Sequence, residues 1–156
     1  MPEVYRQAAS IVLFRFSGEI PEVLLLHKPR KRDSWQFPQG GMEEGEDVTK
    51  AALRELSEEA GIDNVTVLGE SAEVYKYDFP VSYRRFRPDN VRGQQIRFVF
   101  ALAPNSTTVR VDDREIDGFQ WVLPRDIGRS IRRKQYLSLA MRLCNDGIKL
   151  LSQRVS

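Results

Sequence analysis

The sequence predicts an α/β protein, because apolar, β-rich segments alternate with segments that have the period of amphipathic helices. The length bears on the number of domains, since 156 residues of ordinary composition (41% hydrophobic, 29% charged) suffice for one domain with a full core. We therefore expect residues 1–156 to form a single domain. The predicted strands are 8–16, 22–27, 65–68 with 72–79, 93–103 and 117–122, and the predicted helices are 48–60, 124–128 and 131–143.

The first two predicted strands form a hairpin. Residues 8–16 (AASIVLFRF) are nearly continuous in apolar side chains, as in a buried strand. A turn at 17–19 (SGE) leads to the returning strand at 22–27 (EVLLLH). His27 ends this strand and is the only histidine of the chain, so we expect a packed or surface residue rather than part of a histidine metal cluster.

The segment 47–61 predicts a helix with clear ends. Asp47 is placed to cap its amino end, and Gly61 is placed to end it in the left-handed conformation. An apolar stripe on this helix can pack against a sheet. The members of the stripe are Val48, Ala51, Ala52 and Leu56.

Three carboxylates share another face of this helix, because Glu55, Glu58 and Glu59 are spaced i, i+3 and i+4. Adjacent carboxylates repel one another, and without a counter-charge at least one would tend to hold a proton. A hard divalent cation removes this penalty, because oxygen ligands suit Mg²⁺ and Mn²⁺. A glutamate-rich helix face is often merely solvated, but the residues around this one favour a metal site.

The helix lies within a longer pattern, G-x5-E-x7-R-E-L-x-E-E-x-G-I, which runs from Gly40 to Ile62. This pattern resembles the Nudix box, and the chain is similar to Nudix hydrolases over nearly its whole length. The resemblance implies an α/β/α sandwich with a mixed β-sheet. It also implies hydrolysis of a diphosphate bond in a substrate with a nucleoside and a polyphosphate, and a requirement for two or three Mg²⁺ or Mn²⁺ ions.

The resemblance also implies which residues bind the metal. Glu55, Glu58 and Glu59 are the expected catalytic residues and metal ligands, and a backbone carbonyl near Gly40 is a further expected ligand. Glu115 precedes the segment I-D-G-F-Q-W and is the expected fourth carboxylate, although an ordinary loop glutamate is the alternative. One of these or a nearby glutamate is expected to act as general base, and the spacing leaves open which one.

Other residues of the box are expected to hold its shape. The family pairs the positions of Glu46 and Arg54 to fix the loop against the helix, and Gly61 ends the helix.

Two further segments resemble one branch of the family. Residues 34–41 (SWQFPQGG) and 75–80 (YKYDFP) resemble the branch that contains bacterial RNA 5′-pyrophosphohydrolases and plant-type diadenosine tetraphosphate hydrolases. One implied reaction trims a 5′-triphosphorylated RNA to a monophosphate, and the other cuts diadenosine tetraphosphate to ATP and AMP. We favour RNA slightly. Against it, Ile131 and Arg132 stand where the bacterial RNA enzyme opens its last helix with a phenylalanine–lysine pair. Arg132 keeps the positive charge of that pair, but Ile131 lacks the aromatic ring that stacks on a base.

Cationic and aromatic residues on both sides of the box are candidates for substrate binding. Basic loops are commonly just solvated, but these flank a predicted phosphate site. Tyr77 lies where dinucleoside polyphosphate hydrolases have a tyrosine, and its ring could stack on a base or simply pack on the sheet. The candidates are Lys28, Arg30, Arg32, Ser34, Tyr77, Arg84, Arg85 and Arg132.

Composition limits the remaining possibilities. Cys144 is the single cysteine, so no internal disulfide forms, and its apolar helical context predicts a buried thiol. There is no signal sequence and no apolar run near the ~20 residues of a membrane span, so we expect a cytoplasmic protein without a membrane partner.

The expected partner is a nucleotide or 5′-triphosphorylated RNA rather than DNA, and the oligomeric state stays open. A Nudix domain that only binds nucleotides is an alternative, but such domains usually have an eroded box, and this box is intact.

Overall fold

The computed structural model describes residues 4–29, 34–80 and 91–155, which form seven strands, two α-helices and one 3-10 helix. None of the helices in these ranges is long and apolar enough to cross a membrane. The strands are β1 (Val4–Phe16), β2 (Pro21–His27), β3 (Trp35–Gln36), β4 (Gln39–Gly41), β5 (Thr66–Asp78), β6 (Val91–Leu102) and β7 (Gly118–Val122). The helices are α1 (Val48–Ala60), the 3-10 helix Pro124–Arg129 and α2 (Lys134–Val155).

The strands form one mixed sheet in the order β3-β2-β1-β6-β5, with β4 paired to β1 and β7 paired to β2. β1 and β6 run parallel, with Ala8 opposite Ile96 and Phe14 opposite Leu102. The other strand pairs are antiparallel. The mixed sheet confirms this part of the predicted fold.

Different helices cover the two faces of the sheet. Successive side chains of a strand point to opposite faces, so β1 contributes to both cores. Ile11 and Leu13 belong to the buried cluster that contains α1. Val12 and Phe14 belong to the cluster that contains α2. The sheet therefore lies between α1 and α2, which is the predicted α/β/α sandwich.

The ends of α1 are those that the sequence predicts. The Asp47 side chain accepts a hydrogen bond of 2.8 Å from the N–H of Lys50, which satisfies a free donor of the first turn. Gly61 ends the helix at φ 66°, and its N–H donates to the Ser57 carbonyl at 2.9 Å. Local hydrogen bonds therefore define both ends of the helix that carries the glutamates.

The last helix begins later than predicted. The prediction that Ile131 and Arg132 open it is wrong, because α2 starts at Lys134. Ile131 is buried, and its N–H donates to the carbonyl of Ile127 at 3.0 Å, within the turn that ends the 3-10 helix. The helical pattern of the sequence had merged this turn with the helix that follows it.

The last helix also ends later than the predicted residue 143, because Gly147 does not interrupt it. A side chain at position 147 would collide with the ring of Phe14, so the glycine lets α2 pack closely on β1. Cys144 is buried on the same side of the sheet, as predicted, and burial raises the pKa of its thiol to about 12.

The remaining differences concern strand limits. β5 is continuous where the sequence predicts a strand broken after residue 68, and its pairing with β6 shifts register between Val67 and Gly69 and between Glu70 and Val74. Such shifts are β-bulges, which interrupt the sequence pattern without ending the strand. β1 already begins at Val4, and the short strands β3 and β4 were not predicted.

Candidate active site

Arg54 joins the loop before α1 to the glutamates of the helix. Its Nε and Nη2 donate to the two carboxylate oxygens of Glu46 at 2.7 and 3.0 Å, and Nη2 also donates to the Gly41 carbonyl at 2.9 Å. Its Nη1 donates to Glu55 at 2.9 Å and lies 3.3 Å from a carboxylate oxygen of Glu58. The fork geometry of a guanidinium allows this many bonds at once.

Glu46 is the principal partner of Arg54, as the sequence suggests. It also accepts the N–H of Glu43 at 2.7 Å. The bonds from Arg54 and this backbone N–H lower the pKa of Glu46 to about 2, so its negative charge persists at neutral pH.

Glu55 lies against the backbone of the glycine-rich loop. A side chain at Gly40 would collide with the Glu55 carboxylate, which explains why a glycine stands there. Burial raises the pKa of Glu55 above its ordinary value, while Arg54 lowers it and the charges of Glu58 and Glu115 raise it further. A partly buried carboxylate and a peptide backbone therefore meet at this point.

Glu59 is the most buried of the three helix glutamates, with 2% of its surface exposed. Its carboxylate accepts the N–H of Gln39 at 2.9 Å. Burial raises the pKa of Glu59 to about 8, an effect that the Gln39 bond and the charge of Lys28 reduce and that Glu55 and Glu115 increase. In the metal-free protein this carboxyl is therefore mostly protonated at neutral pH.

These electrostatic effects show which other residues lie near the buried carboxylates. Glu115, on the loop between β6 and β7, is exposed, yet its charge acts on both Glu55 and Glu59. Lys28, just after β2, acts on Glu59 with the opposite sign. The structure thus brings the predicted fourth carboxylate from outside the box towards the other acidic groups.

The donor set suits a divalent cation. In the described ranges no three His, Cys, Asp or Glu side chains converge as a metal-binding group. Instead, Arg54 binds Glu55 and lies close to Glu58, and the N–H of Gln39 binds Glu59. The available atoms are nevertheless hard oxygens, and their raised pKa values reflect burial and repulsion between carboxylates that a cation would relieve. The residues therefore fit Mg²⁺ or Mn²⁺.

The family model described as "NUDIX domain" matches residues 4–140 of this sequence. The chain belongs to the Nudix family. The match includes every residue of the site described in this section, so the carboxylates on α1 are those of a Nudix box in its folded setting.

Individual Nudix proteins resemble the chain in sequence and in structure. An RNA pyrophosphohydrolase of Sulfurovum sp. is 45% identical over 76 residues, which cover 49% of this chain and 48% of that protein. An RNA pyrophosphohydrolase of Rhodospirillum rubrum is 34% identical over 122 residues, covering 76% of this chain and 72% of the relative. The crystal structure of a C. elegans Ap4A hydrolase binary complex is 23% identical, with a TM-score of 0.70, and covers 90% of this chain and 96% of that one. This last similarity shows a shared Nudix fold.

Ser34 and Lys28, both predicted to bind substrate, contact each other through the backbone. The Ser34 hydroxyl is buried and donates to the Lys28 carbonyl at 2.6 Å, and the Lys28 N–H donates to the Ser34 carbonyl at 3.2 Å. Ser34 thus holds the main chain of Lys28 in place beside Glu59 of the Nudix box. A direct contact of Ser34 with substrate stays a prediction.

Tyr77 is half-buried on β5 within a row of aromatic side chains. Its ring centre lies 5.5 Å from that of Tyr75 and 5.9 Å from that of Phe79, and its hydroxyl donates to Gln94 at 2.6 Å. It packs against the α2-side core. The ring is thus held in one orientation, and stacking on a base stays a prediction.

Of the remaining cations predicted to bind substrate, the structure describes only Arg132. Arg132 is exposed in the turn before α2. Four candidates lie outside the described residues: Arg30, Arg32, Arg84 and Arg85.

The structure also places residues near the Nudix box that the sequence did not single out. The guanidinium of Arg6 lies against Gly41, because β1 pairs with β4 and Ala8 stands opposite Gly41. Asp112 accepts three backbone N–H bonds in the loop that carries Glu115. Burial alone would raise the pKa of Asp112, but these bonds outweigh it, and the pKa is lowered. No local pattern signals either residue, since each acts through partners that only the fold brings near.

Proposed function

We propose that this chain is a divalent-metal-dependent pyrophosphohydrolase that converts 5′-triphosphorylated RNA to 5′-monophosphorylated RNA. One observation carries the proposal: the three glutamates of the Nudix box lie on α1, and the charge of Glu115 raises the pKa of two of them, Glu55 and Glu59. The substrate class is supported by relatives named RNA pyrophosphohydrolase that are more than 30% identical, including that of Caulobacter vibrioides.

In the proposed reaction a water oxygen forms a bond to phosphorus, and a P–O bond of the polyphosphate breaks. RNA 5′-triphosphate and water become RNA 5′-monophosphate and pyrophosphate. The ligands are the carboxylates of Glu55, Glu58, Glu59 and Glu115 with the backbone at Gly40, and two or three Mg²⁺ or Mn²⁺ ions are expected. When bound, these ions neutralise phosphate charge and acidify the attacking water. A carboxylate of the same group takes the proton of the water.

Cations outside the carboxylate group are proposed to bind phosphates. Lys28 acts on Glu59 through its charge and is fixed by Ser34, so it stands beside the reacting end of a polyphosphate. Arg6 is exposed and lies against Gly41, so it offers a second cation beside the glycine-rich loop. Arg132 is a third. The proposal extends to four cations of the sequence: Arg30, Arg32, Arg84 and Arg85.

The aromatic row favours a second candidate substrate. Tyr75 and Tyr77 on β5 and Phe79 just after it present neighbouring rings, and an aromatic face accepts any nucleobase. Diadenosine tetraphosphate, cut asymmetrically to ATP and AMP, would use the same carboxylates and stack an adenine instead of an RNA base. The two substrates differ mainly in the number of phosphates outside the reacting group.

The test compares product release from triphosphorylated RNA, diadenosine tetraphosphate, ADP-ribose and dNTPs with Mg²⁺ present. We expect RNA to be hydrolysed best and its KM to rise severalfold from low to physiological salt, because a strand contacts the protein through several phosphates. The dinucleotide should show a shallower dependence. Triphosphorylated RNA that stays intact while diadenosine tetraphosphate turns over would reject RNA as the substrate. Binding of nucleotides without any hydrolysis would reject catalysis.

A further inference from the structure

The loop that carries Glu115 is held at its start by one carboxylate. Asp112 Oδ1 accepts hydrogen bonds from the N–H groups of Arg114, Glu115 and Ile116 at 3.0, 3.1 and 2.9 Å. These three N–H groups are consecutive, so the backbone curls around a single oxygen atom. The bond from the N–H of Glu115 itself sets the position of that residue's backbone.

The same loop is closed by a turn and anchored by an apolar side chain. Asp113 adopts φ 64°, a left-handed conformation that aspartate tolerates, and its N–H donates to the Ile116 carbonyl at 2.9 Å. The Ile116 side chain is fully buried in the cluster that contains α1. Glu115 therefore directly precedes a residue that is fixed in the core.

The far end of the loop is attached to β2. The N–H of Asp117 donates to the carbonyl of His27 at 3.1 Å, and the Asp117 carboxylate lies 2.6 Å from Nδ1 of His27. The imidazole ring of His27 packs on Trp35, with the ring centres 5.0 Å apart. The next residue, Gly118, pairs with His27 as β7 begins. The loop is thus held on both sides of Glu115.

The Glu115 side chain contrasts with this fixed backbone. It is exposed, and among the described residues no group donates a hydrogen bond to its carboxylate. Its charge nevertheless acts on Glu55 and Glu59. A carboxylate whose backbone is fixed, whose charge acts on other carboxylates and which no described donor binds is arranged for a ligand rather than for stability.

We propose that Asp112 and the His27–Asp117 pair are positioning residues for Glu115. They fix its backbone so that its carboxylate reaches the divalent cations of the proposed function, on which this inference rests. Residues that hold a ligand in place reduce the freedom lost when the ligand binds, and small displacements of such groups lower rates strongly. Asp112 and His27 touch neither substrate nor metal in this scheme and act through Glu115.

The first experiment uses the full chain and measures the rise in melting temperature that Mg²⁺ causes, which reports binding without any turnover. Asp112→Ala should reduce this rise to the value of Glu115→Ala. Asp112→Asn should retain most of it, because an amide oxygen still accepts N–H bonds. Asp126→Ala, which removes a carboxylate at the 3-10 helix Pro124–Arg129, is the charge-matched control and should respond like wild type.

The second experiment combines the variants. A residue that acts only through Glu115 has no effect once Glu115 is gone, so Asp112→Ala in the Glu115→Ala background should change neither the Mg²⁺ response nor kcat. In the wild-type background, Asp112→Ala should lower kcat on triphosphorylated RNA about tenfold, with little change in substrate KM. Additive losses in the double variant would overturn the proposal.

A wild-type Mg²⁺ response of Asp112→Ala would also overturn it. If that variant does not fold, His27→Phe replaces it, since phenylalanine keeps the ring on Trp35 and removes only the side-chain bond to Asp117. The Mg²⁺ response and kcat of His27→Phe are then compared with and without Glu115→Ala, and additive losses would overturn the proposal. If wild-type protein hydrolyses no substrate, the proposed function fails, while the Mg²⁺ response still tests the positioning of Glu115.

Discussion

The guanidinium of Arg54 binds both carboxylate oxygens of Glu46, so a residue in the middle of α1 is tied to the loop that precedes the helix. The same guanidinium reaches the Gly41 carbonyl and the carboxylate of Glu55. One side chain therefore sets the distance between the glycine-rich loop and the acidic face of α1. The geometry of the proposed metal site depends on this connection.

Replacing Arg54 should lower both activity and stability, because this one side chain contacts the loop and the helix. Arg54→Lys keeps the charge but cannot bind Glu46 with two parallel bonds and reach Gly41 and Glu55 as well. We expect kcat to fall about tenfold or more with a lowered melting temperature, because the displaced groups are those proposed to hold the cation. Arg129→Lys, an exposed arginine 3.8 Å from Asp126, is the matched control and should be neutral. Wild-type kcat in Arg54→Lys would contradict the connecting role.

Glu59→Gln should lower kcat by about two orders of magnitude, because metal binding and proton transfer each contribute factors of this size. The fold should be retained, since the amide oxygen can still accept the N–H of Gln39. Steady-state kinetics at saturating Mg²⁺ test this, together with a far-UV spectrum. Near-normal turnover would remove Glu59 from the catalytic set.

The stability of the metal-free protein should depend on pH through Glu59. Burial raises its pKa from the ordinary 4.5 to about 8, so the folded protein binds this proton more tightly than the unfolded chain. The contribution to the free energy of unfolding is therefore fully present below 4.5 and is lost as the pH rises to about 8.

Urea unfolding in the presence of a chelator should show this loss in wild type and not in Glu59→Gln, which has no titrating group at that position. The difference in the free energy of unfolding between the two proteins should thus change between pH 4.5 and about pH 8. A parallel pH dependence of both proteins would show that Glu59 keeps an ordinary pKa.

Gly147→Ala should destabilise the protein although alanine favours helices. A helix interior gains about 1 kcal/mol when glycine becomes alanine. Here the added methyl group would collide with Phe14, and overpacking typically costs about 1–3 kcal/mol. The free energy of unfolding from urea titration should fall, whereas Ser152→Ala on the exposed side of α2 should change it by less than about 0.5 kcal/mol. A stabilised Gly147→Ala protein would mean that α2 can move away from β1.

Two variants of Tyr77 distinguish the contribution of its ring to substrate binding from that of its hydroxyl. Tyr77→Phe keeps the ring in the aromatic row and loses the bond to Gln94, so KM should change little. Tyr77→Ala should weaken substrate binding by about 1–3 kcal/mol if a base stacks on the ring. Kinetics with RNA and with diadenosine tetraphosphate test this. Equal KM values for Tyr77→Ala and wild type would leave Tyr77 as a packing residue.

The sequence predicted the features that depend on neighbouring residues. Asp47 and Gly61 gave both ends of α1 because capping and the left-handed terminator are local devices. The shared face of Glu55 and Glu59 followed from helical spacing alone. These are also the residues whose chemistry pointed to a metal site.

Features that depend on contacts between distant residues were missed. The last helix was predicted to end at residue 143, whereas α2 continues past Gly147, whose close packing on Phe14 no local pattern reveals. The link between His27 and Asp117 requires the pairing of β2 with β7, and no period within either segment reveals it. Glu115 itself was placed by family resemblance, since its loop has no regular pattern.

The parallel pairing of β1 with β6 has a consequence for how the protein folds. β1 is the first strand of the chain, and β6 reaches it only after α1 and β5 have been passed. Contacts between residues so far apart require the closure of a long loop, and such contacts slow folding. Glu59 precedes β6 and Glu115 follows it, so the two carboxylates meet only after this closure. In a refolding experiment, helical signal should therefore appear before the capacity to bind Mg²⁺, and a chain still emerging from the ribosome should stay catalytically silent until β7 has docked.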